Sequence, residues 1–496
     1  MVAAEETGRP HRGPWRRFLL GSLAIVALTT IATVAAVLLE VKHVADLIGP
    51  ATLETAAGVI TPAQAGSAET ILVIGTDARQ LSKDTFDRSD PPHSDTLLLI
   101  RMDPGKNQTS ELSVPRDLRT TITMPNGSAS MGKINSAYTY GGVSLAAKTV
   151  ESTLPGIQIN HIISVNFAGF RKLIDAIGCV YVYVDRHYYN VNTGTALDNY
   201  ASIDIQPGYQ QLCGQPALDY VRYRHTDSDF VRVARQQDFV RQAKQQIGVQ
   251  GLLDKEDLLL SALHSAVATD IHGTAQIFHL FTLAAFSLGR PIRQVAFQSD
   301  PNVGIGGVSY VVASPAQIRA TVSDFLNGNP PSKITVPTVR LKGATSARTV
   351  AGLGLSGTPA GDTGLANVAS VGLPFRMYAP SLRVQSTSVA DDVRAYALRD
   401  ESGREHRAYV ISIARGLVGE FYGIEGTNWL NPPILAGSHE SRRIGGRTYG
   451  VYLDGSHIRV VSWKAGGAVY WLNNTEDTEL TNRQMLAIAE SCKPIV

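Results

Sequence analysis

The sequence predicts an α/β fold: a layered α-β-α domain with a central mixed sheet, an N-terminal transmembrane helix before it and a smaller β-rich domain after it. Between about residues 70 and 328, short apolar strands alternate with segments of helical spacing, the pattern of helices layered on a sheet. Residues 18–39 form an uncharged apolar run long enough to cross a hydrocarbon core as a helix. After residue 373, strand-like runs separated by Gly turns take over. At 496 residues the chain exceeds one typical domain, so two folded units are expected beyond the apolar run.

Arg9, Arg12, Arg16 and Arg17 flank the apolar run, which puts residues 1–17 in the cytoplasm, 18–39 across the membrane and the bulk of the chain outside. A cleaved signal peptide is the alternative, for which the run is long. Residues 40–68, mostly Ala, Gly, Thr and Pro without periodicity, read as a spacer. In the domain at 69–330, strands are predicted at 70–74, 96–102 and 111–114, the last two joined into a hairpin by the turn chemistry of Asp103, Pro104, Gly105 and Asn107. A helix at 143–154, a strand at 161–166, a helix at 167–177 and a strand at 180–184 follow. Three or four helices between about 215 and 288, a strand near 294–297 and a helix at 315–326 complete the unit, which Pro330 and Pro331 close. Residues 331–372, rich in Gly, Ala, Ser and Thr, read as a linker able to hold short strands. The domain at 373–496 has strands at 408–413, 448–453, 457–463 and 469–472 and a helix at 481–490. It is rich in Tyr and Trp without a convergent charged cluster, which favours binding or support over catalysis.

A formal net charge of +2 with dispersed basic residues speaks against nucleic acid as a partner. Of the three cysteines, Cys179 and Cys213 share one domain on the expected outer, oxidising side, where a disulfide is expected between them. Two separate buried thiols are the alternative, and Cys492 is left over. His93, His161, His187 and His225 have no zinc spacing, and no Gly-rich Lys loop marks a nucleoside triphosphatase.

Polar charge concentrates at strand ends. Asp95 stands just before the outgoing hairpin strand and Arg116 just after the returning one, so antiparallel pairing brings them to one edge. Asp77 and Arg79 follow the end of another strand, where α/β sheets place ligands. If residues 220–225 are extended, Arg222 and Arg224 share a face. If 231–237 opens a helix, Arg232, Arg235 and Gln236 share a face at i, i+3 and i+4. Four guanidinium groups this close, with Asp227 and Asp229 between them, suit a clamp for phosphate oxygens, against the bland alternative of a solvated charged face. A pyrophosphate needs its charge neutralised while a P–O bond breaks, so an arginine cage with Mg²⁺ held by Asp77 and Asp95 is a chemically complete set. Mn²⁺ is an acceptable substitute.

The fragments ILVIGTDAR, SDTLLLIRMDP, LSVPRDL, KINSAYTYGG, FRKLIDAIGCVYVYV and ALDYVRYRHTDSDFVRVARQQ occur in this order. Together they resemble the extracellular catalytic domain of the LytR-CpsA-Psr family, over about residues 70–328. The resemblance implies a membrane-anchored phosphotransferase that moves a glycopolymer from a polyprenyl-pyrophosphate donor to a peptidoglycan acceptor, releasing polyprenyl phosphate. It implies Asp77 and Asp95 as metal or base carboxylates, with Arg79, Arg116, Lys133, Arg222, Arg224, Asp229, Arg232 and Gln236 around the pyrophosphate. Where the family usually carries Arg, two residues before the second aspartate, this chain has His93, with Arg88 nearby. A neutral imidazole binds phosphate less well than a guanidinium. The region after 373 resembles β-rich accessory regions of some actinobacterial relatives. Apolar segments at 258–263 and 277–288 suit a groove for the polyprenyl tail, although such helices are more often plain core. Two other functions use the same residues: hydrolysis of the pyrophosphate, and lipid binding by a non-catalytic envelope regulator.

Overall fold

The computed structural model describes residues 60–63, 66–76, 93–193, 201–223, 229–254, 267–271, 292–328, 352–357, 372–385, 390–415, 420–437, 439–454 and 456–495. The expected membrane span at 18–39 lies outside them, as do Asp77, Arg79, Arg88, Arg224, His225 and both segments proposed for the lipid tail. Among the described residues no helix is long and apolar enough to cross a membrane.

The chain begins with strands β1 (Glu69–Thr76), β2 (Ser94–Asp103) and β3 (Gln108–Ser113), the hairpin β4 (Arg119–Thr123) and β5 (Ala129–Lys133), and helix α1 (Ser136–Thr153). Then come β6 (His161–Asn166), α2 (Phe167–Ile177), β7 (Val180–Val184), β8 (Tyr188–Asn190), β9 (Ile203–Ile205) and β10 (Gly208–Leu212). Helices α3 (Gly214–Arg222) and α4 (Asp229–Asp254) lead to β11 (Val267–Thr269), β12 (Ile292–Val295), the hairpin β13 (Asp300–Ile305) and β14 (Val308–Val312), and α5 (Pro315–Asn327).

The central sheet is mixed and six-stranded, in the order β11-β6-β1-β2-β3-β12. β1 runs antiparallel to β2 and parallel to β6. Strand alternation sorts its side chains. Leu72, Ile74, Leu97, Leu99 and Leu112 point to one face, where Ala147 and Val150 of α1 and Val322 and Phe325 of α5 cover them. Ile71, Val73, Met102 and Ile163 lie on the other. Glu111 is buried on that second face, with Arg241 and Lys244 of α4 as its neighbouring cations. α1 starts at Ser136, before the predicted helix, and tolerates Gly141 and Gly142 as a break in helical geometry. α5 begins as predicted, with Pro315 in its first turn and a capping box between Ser314 and Gln317.

The C-terminal region contains β15 (Leu355–Gly357), β16 (Tyr378–Pro380), β17 (Leu382–Val384), β18 (Ala390–Arg399), β19 (Glu405–Arg415), β20 (Glu420–Thr427), β21 (Glu440–Ile444), β22 (Arg447–Asp454), β23 (His457–Ala465), β24 (Ala468–Asn473), α6 (Asn482–Ser491) and β25 (Cys492–Pro494). β15 falls within the stretch read as a linker and pairs with β17. A seven-stranded sheet, β18-β19-β20-β24-β23-β22-β21, has two apolar faces. Tyr409, Ile411, Tyr470 and Leu472 pack under Met485, Leu486 and Ile488 of α6. The alternate residues Val410, Val460, Val469 and Trp471 pack against Tyr181, Tyr183 and Tyr209 of the β7–β10 ribbon. The Tyr181 hydroxyl donates to the Arg399 carbonyl at 2.8 Å, and the Tyr209 hydroxyl accepts from Ile434 N at 2.9 Å. Gly208, at φ +117°, leaves room for the Tyr396 ring, which a Cβ would meet at 2.8 Å.

Cys179 and Cys213 are disulfide-bonded, joining the start of β7 to the start of α3, and Cys492 is a buried free thiol. Mass spectrometry of unreduced, alkylated protein should find Cys179 and Cys213 linked. Since the bond closes a loop of separation 34, reduction should lower stability by about 3 kcal/mol. Alkylation of both residues without reductant would contradict the bond.

Burial pushes the Glu111 carboxyl up to about 7, with Arg241 working against the shift. The folded protein therefore binds a proton there that the unfolded chain releases near pH 4.5, so Glu111 weakens the fold as pH rises from about 4.5 to 7. The Tm of Glu111→Gln relative to the parent should climb across that window and then level off. A constant difference would place the Glu111 titration elsewhere.

Candidate active site

Several strand ends meet at one edge of the central sheet. β1 and β6 run parallel and finish together, Thr76 beside Asn166, while β2 starts there with Ser94 opposite Thr76. Open α/β sheets place ligands beyond the carboxyl ends of parallel strands. The close pairing needs Gly75, because a Cβ there would lie 3.0 Å from Thr96 Cβ.

The hairpin brings its two charges together. Arg116 Nη1 forms a close ion pair with Asp95 Oδ1. Asp95 is the second residue of β2 rather than the residue before it, since the strand extends two residues further than the apolar pattern indicated. Arg116 Nε also lies 3.9 Å from Asp117 Oδ2, and Lys133 Nζ is 2.8 Å from Asp117 Oδ1. The β4–β5 hairpin delivers Lys133: Ile134 N donates to Leu118 O at 2.9 Å and Asn135 N to Arg116 O at 3.2 Å, so the chain after β5 returns alongside Arg116. The Tyr310 ring stands 5.9 Å from Lys133 Nζ. His93 immediately precedes β2 at this same edge and is partly buried.

α3 and α4 reach the edge from another side. The segment read as an extended strand at 220–225 is helical through Arg222. Ala217, Leu218, Tyr220 and Val221 are buried on it, and that helical spacing of core residues outweighs the alternation that suggested a strand. Helical geometry gives Arg222 the partner that the strand picture lacked. Its Nε lies 3.3 Å from Asp219 Oδ1, one turn earlier. Burial raises the Asp219 carboxyl, and Arg222 draws it back down. The Arg222 guanidinium sits 5.2 Å above the ring of Phe167, the first residue of α2, whose cap Asn166 ends β6. Gln236 donates from Nε2 to Val221 O at 3.1 Å and accepts from Thr96 Oγ1 at 3.4 Å, linking α3, α4 and β2.

Arg235 belongs elsewhere. The expected shared face of Arg232, Arg235 and Gln236 splits, because α4 is packed on two sides. Arg235 is fully buried and turned toward the C-terminal region. Its Nε donates to the Tyr188 hydroxyl at 3.1 Å and to Glu476 Oε1 at 3.2 Å, and its Nη1 to the carbonyls of Tyr223 at 3.1 Å and Tyr220 at 3.4 Å. Burial works against this guanidinium, but Tyr188, Glu476, Tyr220 and Asp185 raise it above its ordinary value. It is a structural cation, not a phosphate ligand. Asp238 and Arg241 continue the same face. Asp238 pairs closely with Arg241 and Arg459, and Arg241 Nε is 3.5 Å from Asp454 Oδ2. The C-terminal region therefore does supply convergent charge, in Glu476, Asp454 and Arg459, but as buried packing partners.

The described site thus gathers Asp95, Arg116, Lys133, Arg222 and Gln236 at one sheet edge, with Arg232 buried on α4. Asp229 opens α4, and its side chain lies outside the described residues. Sequence reasoning missed the roles of Asp219 and Phe167. The signal for Asp219 was its i, i+3 spacing to Arg222, legible only once the segment is helical. For a divalent cation, Asp95 offers a partly exposed carboxylate, 29 % exposed, and Mg²⁺ takes as few as one or two such ligands and keeps several waters. Of the two expected ligands Asp95 alone is described, and its Oδ1 is already paired with Arg116. Among the described residues, the clusters of three metal-capable side chains, Asp175 with Cys179 and Cys213 and Glu420 with Asp477 and Glu479, do not include Asp95.

A model of the LytR_cpsA_psr family matches residues 42–324, more than half of the chain. The chain is 33% identical over 210 residues to a polyisoprenyl-teichoic acid–peptidoglycan teichoic acid transferase TagU of Halalkalibacterium halodurans, and 33% identical over 195 residues to one of Enterococcus faecalis. The matches take in 40% and 38% of this chain and span 60% of each relative's length. The crystal structure of Bacillus subtilis TagV is 22% identical, with TM-score 0.42, covering 54% of this chain and 100% of that one.

The two arginines should separate in unfolding experiments. Arg235→Ala strands a buried Glu476 carboxylate and should cost about 3–5 kcal/mol. Arg222→Ala removes a partly exposed guanidinium from a buried Asp219 that keeps its bond from Gln215 Nε2, and should cost less, about 1–2 kcal/mol. Equal losses in denaturant titration would contradict their assignment to different environments.

Proposed function

The chain belongs to the LytR_cpsA_psr family, and on that premise we propose that it is a phosphotransferase attaching a glycopolymer from a polyprenyl-pyrophosphate donor to peptidoglycan. The observation that carries this reading is the convergence of Asp95, Arg116, Lys133, Arg222 and Gln236 at the carboxyl ends of β1 and β6. The names of the relatives, transferases of teichoic acid to peptidoglycan, support the same class of reaction.

In the proposed step, a hydroxyl oxygen of the acceptor sugar attacks the phosphorus nearer the glycan. A new P–O bond forms, the bridging P–O bond breaks, and polyprenyl phosphate leaves, so the glycan ends joined to the acceptor through a phosphodiester. An aspartate at this edge, Asp95 or Asp77, accepts the hydroxyl proton. Arg116 and Arg222 are aimed by their own carboxylates, Asp95 and Asp219, so little reorganisation is needed when charge develops on the phosphoryl oxygens. Lys133, Arg79, Arg224, Arg232, Asp229 and His93 complete the pyrophosphate surroundings in this proposal. Mg²⁺ held by Asp95 and Asp77 would supply further charge neutralisation. Arg235 is left out because its donors are engaged by Tyr188, Glu476 and the carbonyls of Tyr220 and Tyr223.

The proposal includes an anchor helix at 18–39, a cytoplasmic segment at 1–17 and the catalytic domain on the outer face of the membrane. A disulfide in the domain suits that oxidising side. Hydrolysis remains the second reading, since water could replace the sugar hydroxyl without changing a residue.

A short-chain polyprenyl-pyrophosphate glycan supplied with peptidoglycan oligomers should yield a phosphate-linked conjugate. Arg222→Ala and Arg116→Ala should each lower the rate at least about tenfold, as expected for loss of a charge-assisted contact of about 1.5–3 kcal/mol. Lys at either position should rescue poorly because it lacks the guanidinium fork. Monophosphate release indifferent to acceptor would replace transfer with hydrolysis, and unchanged rates in both Ala variants would remove the arginines from the site.

A further inference from the structure

The contact between α4 and the C-terminal region lies directly behind the site. Glu476 follows β24 and accepts at Oε1 from Arg235 Nε at 3.2 Å and from the Tyr220 hydroxyl at 3.2 Å. Arg235 in turn donates to the carbonyls of Tyr220 and Tyr223, the residues on either side of the Val221–Arg222 pair. One guanidinium therefore closes the end of α3 that carries Arg222 onto the first turns of α4 that carry Arg232 and Gln236. Another partner, the Tyr188 hydroxyl and ring, is itself fixed: Tyr188 bonds Asp185, and the Asp185 carbonyl accepts from Ser412 of β19.

From this geometry we infer that Glu476 is a positioning residue: through Arg235, the C-terminal sheet holds the α3–α4 corner in the arrangement that presents Arg222 and Gln236 at the sheet edge. The inference rests on the reading that this edge binds a pyrophosphate. Burial pushes the Glu476 carboxyl up and Arg235 draws it back down, and Asp185 is the second acid that faces this guanidinium. With the Glu476 charge removed, Arg235 must redistribute toward Asp185 and the carbonyls it already holds, those of the Arg222 turn. The docking of the two sheets does not depend on Glu476. Tyr181, Tyr183 and Tyr209 pack on Val410, Val460 and Trp471, and Asp238 with Arg241 holds Arg459 and Asp454 further along α4. Loss of the Glu476 charge should therefore loosen one corner rather than undock a sheet.

The test uses the full chain in detergent and two readouts: amide hydrogen exchange, and binding of inorganic pyrophosphate by calorimetry. The variants are Glu476→Gln, which keeps shape and removes charge, Glu476→Asp, which keeps charge and withdraws it by a methylene, and Arg222→Ala as the site reference. In Glu476→Gln, exchange at residues 217–223 and 229–237 should quicken at least about tenfold, with residues 97–102 and 408–413 unchanged. Pyrophosphate affinity should fall about tenfold, and Glu476→Asp should lie between it and the parent. If Glu476→Gln does not fold, Glu476→Asp alone should show the same local quickening and a weaker affinity. Quickening over the whole chain would reduce Glu476 to a stabilising contact and overturn the inference. So would local quickening with unchanged affinity when Arg222→Ala weakens binding, or no change at all. If the parent binds no pyrophosphate and Arg222→Ala is indistinguishable from it, the site reading fails, and the exchange pattern alone decides whether Glu476 holds the corner.

Discussion

The burial of α4 between two sheets is the constraint on which the rest of this molecule depends. On the faces where the helix is covered a charged side chain must meet a partner or be lost. Arg241 faces Glu111 of the central sheet and Asp454 of the C-terminal sheet, while Arg235 meets Glu476 and Asp238 meets Arg459. Burial lowers Arg241 to about 9 and Arg459 to about 10, which measures how far these groups have been taken from water. Two sheets joined only by such pairs would gain little stability. The apolar contact of Tyr181, Tyr183 and Tyr209, on the β7–β10 ribbon against which α4 also packs, with Val410 and Trp471 of the C-terminal sheet supplies the attraction, and the ion pairs fix the register in which it is made.

That register matters because α4 serves two masters. Arg235, Asp238 and Arg241 recur every three residues and track one side of the helix, while Arg232 and Gln236, four apart, lie on another. The first set anchors and the second reaches the sheet edge. A rotation of α4 about its axis would trade one for the other, so the anchoring charges also set where Gln236 meets Thr96.

Much of this was legible in the sequence. The strands β1, β2, β6 and β7 and the helices α2 and α5 follow from unambiguous periodicity bounded by Gly, Pro or a cap, and the Asp95–Arg116 meeting follows from hairpin geometry alone. The hairpins β4–β5 and β13–β14 were not, because Arg119–Thr123 is mostly Thr and carries one buried residue, Ile122, too little apolar pattern to register. The segment ending at Arg222 stayed open between strand and helix because Val221 and Tyr223 satisfy a strand's alternation while Ala217, Leu218 and Val221 make a helix's core face. What decides is Asp219 and the packing around Tyr220, which are tertiary. Arg235 could not be told from Arg232 by spacing, since its partner Glu476 lies 241 residues away.

Under the proposed function, the charges at the sheet edge are the means by which a nearly neutral chain would hold a dianion. Three of the described cations have a carboxylate of their own: Arg116 with Asp95, Lys133 with Asp117, Arg222 with Asp219. Among the described residues these three cations are thus each balanced by an acid, in keeping with a net charge of +2, and such paired charges contribute little long-range attraction. Their contribution to affinity must come from orientation. Guanidinium groups held in place by carboxylates on one side present their remaining N–H donors on the other, and a pyrophosphate meeting several such donors at once needs no reorganisation of them. A pyrophosphate site built this way would discriminate by the spacing of two phosphoryl groups rather than by total charge. That spacing is set by the sheet edge on one side and by the α3–α4 corner on the other.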